Sequence, residues 1–314
     1  MSTYVIENAK KFGDLSVITE APDSATLLIH DGNGVKTITV ANFKSGLQSL
    51  IENSTTELSN AVDELNAANS ALQATVGAIA ATGAGAHNAI YRGKYLGSSV
   101  TAAQYAAISA GTFDDLYIGD YWTIGGINYR IAAFDDYYLT GDTSCDKHHV
   151  TLVPDASMYT HVMNDTNITT GAYVGSKMYT EGLNQAKTTI NNAFGSAHIL
   201  NHRQYLKNAV TDNYESGGSW YDSTVELMTE QNVYGGATFG NIMNGTALAA
   251  KYTIDKSQYP LFALNPYMIS NRQWFWLRDV VSAAFVARVS DDGGCYLIDA
   301  SYGSGVRPAF SIIG

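Results

Sequence analysis

The chain has 314 residues, of which 46% are hydrophobic and only 15% are charged, with 29 Gly and 21 Tyr. Its length exceeds that of one ordinary domain, so we expect several parts. The net charge of −11 leaves no surplus of cations for phosphates, which argues against binding to nucleic acid or an anionic membrane. No apolar run reaches the length of a membrane span, and the N-terminus lacks the apolar stretch of a signal peptide, so we expect no membrane insertion.

Residues 1–45 contain one clear hairpin pattern. Two β-prone runs, 26–29 and 35–40, flank a turn rich in Asp, Asn and Gly, the residues that supply the positive-φ positions of a tight reversal. A segment of about 45 residues is too short to bury an independent core. We therefore predict a small β segment that relies on copies of itself or on a host surface. An ordinary β cap on the next element is the alternative.

The strongest pattern in the sequence is a heptad repeat over residues 46–82. Two series of residues each recur every seven positions and are offset by three. They are Thr55, Val62, Asn69 and Val76 at position a, and Ile51, Leu58, Leu65, Leu72 and Ile79 at position d. We call these nine residues the heptad seam. A seam sustained for about four heptads predicts a coiled-coil stalk, for which Ser45 is the predicted N-cap.

The flanks of the heptad seam bear on the oligomeric state. Positions e and g between residues 59 and 75 carry no charge, so salt bridges do not choose the partner there, and the small residues at g allow close packing of several helices. We predict a homotrimer, with a dimer as the alternative. A single long helix packed on the core of its own chain is the other alternative. The Gly- and Ala-rich residues 83–92 predict a linker after the stalk.

Residues 93–314 consist of short β-prone runs separated by Gly, Asp and Asn, and we call this part the head. Runs at 115–124 and 127–132 flank Gly125 and Gly126, which predicts a hairpin, and 149–153 predicts another strand. Residues 180–192 have helical spacing. Three strands are predicted at the end of the chain, over 282–289, 295–299 and 306–313. The head has no repeat of fixed period, which argues against a β-helix or a propeller.

The last part of the head resembles known protein modules. Residues 271–279 (NRQWFWLRD), the hairpin that follows and 304–312 (SGVRPAFSI) resemble a C-terminal module of unknown function with a WLR…GVRP ending, frequent in Firmicutes and in phage structural proteins. The ending is also similar to the GFR close of formylglycine-generating-enzyme-like C-type lectin folds, which serve as the variable domain of phage tropism determinants. Segments 91–97 and 110–122 look like parts of phage minor structural and tail-fibre proteins.

The resemblance and the heptad seam together predict an α+β chain with a small N-terminal β segment, a trimeric coiled-coil stalk and a C-type-lectin-like α+β head. The function implied is that of a phage virion fibre that mediates adhesion to the host. Its partners would be a capsid or tail protein, held through residues 1–45, and a host cell-surface glycan or protein, held through the head. A virion decoration protein without receptor binding and a surface-polysaccharide depolymerase are the alternatives.

Two sets of residues in the head are singled out by their chemistry. Large aromatic and guanidinium groups near the chain's end predict structural roles, in which the arginines pair with Asp279, Asp299 or backbone carbonyls; these residues are Trp274, Trp276, Arg278 and Arg307. Charged and aromatic residues around the last hairpin predict ligand contact, because they lie on loops carried by a rigid sheet; these residues are Arg288, Asp291, Asp292, Tyr296 and Tyr302.

No pattern in the sequence predicts catalysis, a metal or a cofactor. His198 and His202 are spaced as zinc ligands on a helix, but Ile199 stands where a zincin has its catalytic Glu. Cys145 and Cys295 lack the context of a nucleophile, and we predict two unpaired thiols rather than one bridge. Acidic doublets such as 291–292 could form a glycosidase pair, but such doublets are more often turn residues or calcium ligands.

Overall fold

The structure, a computed structural model, describes residues 22–30, 32–79, 83–240 and 257–314. The chain divides into two compact units, Met1–Ala78 and Ile79–Gly314. The described residues combine several β-sheets with one long helix near the N-terminus. The prediction of a mixed α and β chain with a long N-terminal helix is therefore confirmed.

The first unit begins with the predicted hairpin. Strands β1 (Thr26–His30) and β2 (Val35–Thr39) pair antiparallel, with Thr26 opposite Thr39. Gly32 in the turn has a φ of 86°, a conformation that glycine adopts without steric cost. The hairpin is confirmed, whereas residues 1–21 of the predicted attachment segment lie outside the described residues.

Helix α1 (Val40–Ile79) follows β2 without an intervening loop. The Thr39 side-chain oxygen accepts a hydrogen bond of 3.2 Å from the Asn42 amide, which caps the helix at its first turn. The prediction that Ser45 is the N-cap is wrong, because Thr39 already satisfies a free amide and the helix starts at Val40. With 40 residues, α1 is about 60 Å long at 1.5 Å per residue.

The strands and helices of the second unit are short. Its strands are β3 (Tyr95–Gly97), β4 (Tyr121–Ile124), β5 (Ile127–Phe134), β6 (Val150–Pro154), β7 (Tyr159–Val162), β8 (His202–Thr211), β9 (Tyr214–Ser223), β10 (Val225–Leu227), β11 (Phe275–Val280), β12 (Phe285–Val289), β13 (Cys295–Asp299), β14 (Gly303–Val306) and β15 (Pro308–Ile312). Its described helices are α2 (Ala84–His87), α3 (Ala102–Ala110), α4 (Asn184–Phe194), α5 (Glu230–Tyr234) and α6 (Pro260–Leu264).

Three sheets organise these strands. A six-stranded sheet has the order β10-β15-β6-β5-β4-β3, a five-stranded sheet has the order β13-β12-β11-β14-β7, and β8 pairs with β9 alone. The predicted hairpin β4–β5 is confirmed. Its two turn residues, Gly125 and Gly126, have φ values of 59° and 80°, as a two-residue hairpin turn requires.

The two larger sheets share a hydrophobic core. One buried cluster joins Ile131 and Phe310 of the six-stranded sheet to Phe275 and Val289 of the five-stranded sheet. A second buried cluster, which includes Trp276, lies on the other face of the five-stranded sheet. This sheet therefore packs against buried clusters on both faces. Each large apolar side chain that it buries stabilises the fold by about 1.5–3 kcal/mol.

The region predicted as a linker, 83–92, begins with packed structure. Helix α2 lies there, and the Asn88 side chain donates to the Phe134 carbonyl at 2.9 Å and accepts from the Phe134 amide at 2.8 Å. An asparagine side chain thus continues the hydrogen bonding of β5 at its last residue. Residues 83–92 differ from a flexible linker because these polar contacts fix them to the sheet.

The strand predicted over 306–313 is confirmed as β15 (Pro308–Ile312) of the six-stranded sheet, but Val306 belongs to β14 of the five-stranded sheet. Arg307 lies where the chain crosses between the two sheets. Pro308 has no amide hydrogen to continue the ladder of β14, and it pairs with Leu227 of the other sheet. The last strands therefore connect the two sheets.

Candidate ligand-binding surface

The hairpin β12–β13 brings the predicted ligand residues together. Arg288 stands directly opposite Tyr296 in the antiparallel ladder, so both side chains lie on the same face of the five-stranded sheet. Tyr302 follows β13 in the turn that leads to β14, and half or more of its side chain and that of Tyr296 is exposed, at 56% and 50%. Alternation along the two strands, which the sequence shows, is what places Arg288 and Tyr296 together.

Three aromatic rings surround the Arg288 guanidinium. Its carbon atom Cζ lies 3.9 Å from the ring centroid of Trp274, 5.3 Å from that of Tyr302 and 5.5 Å from that of Tyr296. The Trp274 and Tyr296 rings meet edge to face, with centroids 5.6 Å apart. We call Trp274, Arg288, Tyr296 and Tyr302 the aromatic patch. Contacts of a cation with a ring stabilise the charge by about 0.5–2 kcal/mol each.

The electrostatic state of Arg288 reflects its burial. Only 7% of the residue is exposed, and burial lowers the pKa of its guanidinium. The charges of Tyr302, Tyr296 and Asp291 act in the opposite direction and raise that pKa. An arginine remains protonated at neutral pH even when its pKa falls by a few units, so the aromatic patch holds a positive charge.

The two predicted aspartates have different surroundings. The Asp292 carboxylate accepts hydrogen bonds from the Ser290 hydroxyl and the Gly294 amide, and these bonds lower its pKa and close the turn between β12 and β13. Asp292 thus has a turn role, as acidic doublets often do. The exposed carboxylate of Asp291 accepts no hydrogen bond from any described residue. Asp291 therefore has no comparable role in closing the turn.

Trp274 belongs to the aromatic patch, although its sequence context predicted a structural role and no ligand contact. It is half-buried and forms the shortest contact with Arg288. The signal that could have found it is the alternation Trp274–Phe275–Trp276, which puts Trp274 on the opposite face from the fully buried Phe275. The strand pairing that sets Trp276 against Arg288 was not readable from the sequence.

The other members of the structural set are buried. Trp276 is fully buried and donates its indole N–H to the His161 carbonyl at 2.8 Å. Arg278 bonds the side-chain oxygen of Gln204 from both terminal nitrogens, at 2.9 and 3.0 Å, when the Gln204 amide is oriented to accept. Arg307 donates to two backbone carbonyls, which is one of the pairings that the sequence predicted.

A glycine fixes the position of Trp274. The Gly305 amide donates to the Trp274 carbonyl oxygen at 2.8 Å, where β14 runs beside β11. A Cβ atom on Gly305 would lie 2.6 Å from that oxygen and 2.1 Å from the Ser157 hydroxyl oxygen. The Ser157 hydroxyl can rotate away, but the Ser157 Cβ at 2.7 Å and the Trp274 backbone cannot, so this glycine of the SGVRP segment permits the close approach of two strands.

We expect Gly305→Ala to lower the free energy of unfolding by about 1–3 kcal/mol, because the added methyl group forces the two strands apart. Chemical denaturation of the full chain measures this loss, and the fluorescence of Trp274 should report its displacement. Gly236→Ala is the matched control, since a Cβ on Gly236 meets no atom within 4 Å. Equal stability of the two variants would contradict the close-approach argument.

The heptad seam is exposed along helix α1. All residues from 41 to 76 are exposed, and the apolar d residues Ile51, Leu58, Leu65 and Leu72 are 62–70% exposed. The side chain of Ile79, the last seam residue, lies outside the described part of the chain. Thr55 uses its hydroxyl to bond the Ile51 carbonyl at 2.7 Å, which reduces the polarity it presents at the seam.

Two histidines of the head, His149 and His202, are buried and neutral. His149 accepts from the Tyr137 amide at 3.0 Å through Nε2, so its Nδ1 carries the proton and donates to the Lys147 carbonyl. The His202 ring packs against the Tyr137 ring, with centroids 3.8 Å apart and planes tilted by 36°, and neither of its ring nitrogens has a described residue in hydrogen-bonding geometry. Burial lowers the pKa of both, and that of His202 falls to about 3.

The depressed pKa of His202 predicts a loss of stability in acid. Below the unfolded-state pKa of about 6.5 the unfolded chain binds a proton that the native His202 does not bind until about pH 3. Stability from this residue is therefore complete above pH 6.5 and falls by about 1.4 kcal/mol per pH unit below it. We expect His202→Phe, which keeps an aromatic ring against Tyr137, to remove this dependence of stability on pH.

The test compares the free energy of unfolding of both proteins at pH 7 and pH 5. Buried Glu226 and Asp279 have raised pKa values and gain stability as the pH falls, so only the difference between variant and wild type isolates His202. The wild type should lose about 2 kcal/mol more than His202→Phe over this interval. Identical pH profiles would show that His202 is protonated in the native state.

An open cleft of about 460 Å³ lies near these histidines. Asp142 and Asp222 at its rim both bind Arg203, at 2.8 and 3.2 Å, and this pairing lowers the pKa of Asp142. A carboxylate held ionised by an arginine is unsuited to the proton donation that glycoside hydrolysis needs. Cys145 at the floor of the cleft is a free thiol, as is Cys295.

Comparison with protein-family models, with curated proteins and with solved structures found no match to this chain. Among the described residues, no helix is both long enough and apolar enough to cross a membrane. Within the same residues, no group of three or more His, Cys, Asp or Glu side chains is arranged to hold a metal ion.

Proposed function

We propose that this chain is a phage virion fibre protein that adheres to the host surface. Three copies associate through the heptad seam, residues 1–45 attach to a capsid or tail protein, and a C-type-lectin-like head carries the aromatic patch outward. The phage origin and the lectin-like fold rest on the resemblance of residues 271–279 and 304–312.

The exposed heptad seam is the observation that carries the proposal. A row of apolar side chains that are 62–70% exposed over about three heptads is costly in water and is typical of a helix that binds copies of itself. Burial of each such side chain in a trimer stabilises it by about 1.5–3 kcal/mol. A stalk that carries three identical heads is suited to multivalent attachment rather than to catalysis on a small substrate.

The aromatic patch supports adhesion as the task of the head. Tyrosine and tryptophan offer rigid contact area at low conformational-entropy cost, and Arg288 adds charge at the centre. Three heads held on one stalk convert weak single contacts into a gain of roughly 10²–10⁴ in overall affinity.

The test uses purified full-length protein with light scattering and with binding to a panel of Firmicutes cells. We expect a trimer that binds a subset of the strains. A trimer that binds none would favour the decoration protein, and release of reducing sugar ends from cell envelopes would favour the depolymerase. A monomer would contradict the stalk.

A further inference from the structure

The Arg288 guanidinium is buried without a hydrogen-bonding partner. Only 7% of the residue is exposed, yet it forms no hydrogen bond and no ion pair with any residue that the structure describes. Its Nε atom is fully buried and unsatisfied. A buried charge is normally paired, because removal from water without compensation is costly. Arg288 therefore differs from Arg307 and Arg203, whose donors bind carbonyl or carboxylate oxygens.

The aromatic rings compensate for the lost water without using the donors of Arg288. The rings of Trp274, Tyr296 and Tyr302 face the cation at 3.9–5.5 Å and attract it through their π-electron faces, which form no hydrogen bond with its N–H groups. The two terminal nitrogens of the planar guanidinium fork remain available to an incoming acceptor, since Nε alone is fully buried. Such a fork matches the two oxygens of a carboxylate, and it also bonds sulfate or phosphate oxygens.

The exposed rings beside the fork restrict what the ligand can be. Tyr296 and Tyr302 present flat, electron-rich faces next to a single positive charge. The C–H face of a sugar ring packs on such a surface, and a charged substituent on the same sugar reaches the arginine. The exposed Asp291 adds a carboxylate on the turn beside β12, and its charge acts on Arg288. An acidic peptide carries its charge on a flexible stem and offers no comparable flat face.

We propose that the aromatic patch binds an acidic saccharide, whose anionic group pairs with Arg288 while its ring packs on Tyr296 or Tyr302. This inference rests on the proposed function and specifies the class of surface glycan that the head recognises. The ligand source is open between carboxylated, sulfated and phosphorylated sugars, which share the oxygen anion that the arginine recognises.

The experiment applies the full-length protein to an array of uncharged, carboxylated, sulfated and phosphorylated saccharides. We expect binding to acidic saccharides, and the array shows whether carboxylated, sulfated or phosphorylated sugars bind most tightly. Arg288→Met should reduce that binding at least tenfold and should fold normally, since it removes a buried charge that has no partner. Tyr302→Ala, at an exposed position, should weaken binding and lower the melting temperature by no more than about 4 °C. Arg272→Met is the control, because it removes an exposed arginine of the same head.

Binding to uncharged saccharides alone, no binding to any acidic saccharide, or equal binding by Arg288→Met would overturn the inference. Adhesion is scored separately on cells. Wild-type protein that binds cells but no acidic saccharide would overturn this inference and leave the adhesion proposal standing. Wild-type protein that binds acidic saccharides but no cells would overturn the adhesion proposal and leave the saccharide site standing.

Discussion

Replacement of Arg307 by alanine should lower the free energy of unfolding by about 3–5 kcal/mol. Arg307 is fully buried where the chain passes from β14 to β15. Its Nε donates to the Pro154 carbonyl at 2.8 Å and its Nη1 to the Met268 carbonyl at 3.0 Å. Alanine removes both of these hydrogen bonds and opens a cavity at the crossing, and the two losses of stability add.

The guanidinium of Arg307 also lies between apolar groups. Its Cζ is 4.9 Å from the ring centroid of Phe275 and 5.6 Å from that of Phe262, and burial lowers its pKa to about 10. The charge thus carries a desolvation cost that its hydrogen bonds offset. Arg307→Met keeps most of the volume and removes the charge, so we expect its loss to be smaller than that of alanine, at about 1–2 kcal/mol.

Urea unfolding of the full chain measures the free energy of unfolding of both variants. In thermal unfolding, the alanine variant should melt roughly 10 °C lower than wild type. Arg203→Ala is the control, because Arg203 forms exposed ion pairs with Asp142 and Asp222 and should change stability by less than about 1 kcal/mol. If Arg307→Ala were as mild as this control, the crossing would be held by the backbone alone. Because Phe275, whose ring packs on Arg307, directly follows Trp274, a loosened crossing should also weaken binding at the aromatic patch.

Local patterns predicted the elements that depend on near neighbours. The heptad repeat indicated α1, and Gly125–Gly126 indicated the β4–β5 hairpin. The period of two along the last hairpin put Arg288 and Tyr296 on one face, because a strand alternates its side chains whatever surrounds it. The part of the aromatic patch that belongs to one hairpin was therefore predictable.

Features that depend on pairing between distant segments were not predictable from the sequence. The chain passes from one sheet to the other at Arg307 because its side chain finds the carbonyls of Pro154 and Met268, 153 and 39 residues away. Trp274 reaches Arg288 only through the register of β11 on β12. The hairpin β8–β9 was missed although Asp212 and Asn213 form a positive-φ turn, because the glycines of β9 hide its alternation.

Replacement of Leu58 by aspartate should separate the proposed trimer into single chains. Leu58 is an exposed d residue of the heptad seam, and a trimer would bring three copies of it into contact. Aspartate removes burial of about 1.5–3 kcal/mol per chain and places three carboxylates together in an apolar environment. Analytical ultracentrifugation should show three times the chain mass for wild type and the single chain mass for Leu58→Asp.

Asn60→Asp is the matched control, because it adds the same charge at heptad position f, away from the heptad seam, and should remain trimeric. The separated heads keep the aromatic patch, so the affinity of Leu58→Asp for a single saccharide should equal that of wild type. Its binding to cells should fall by about 10²–10⁴, since one head cannot use the effective concentration that two linked heads provide. Equal cell binding by the single chain and the trimer would mean that one head suffices for adhesion, and the stalk would then serve only to hold the head away from the virion.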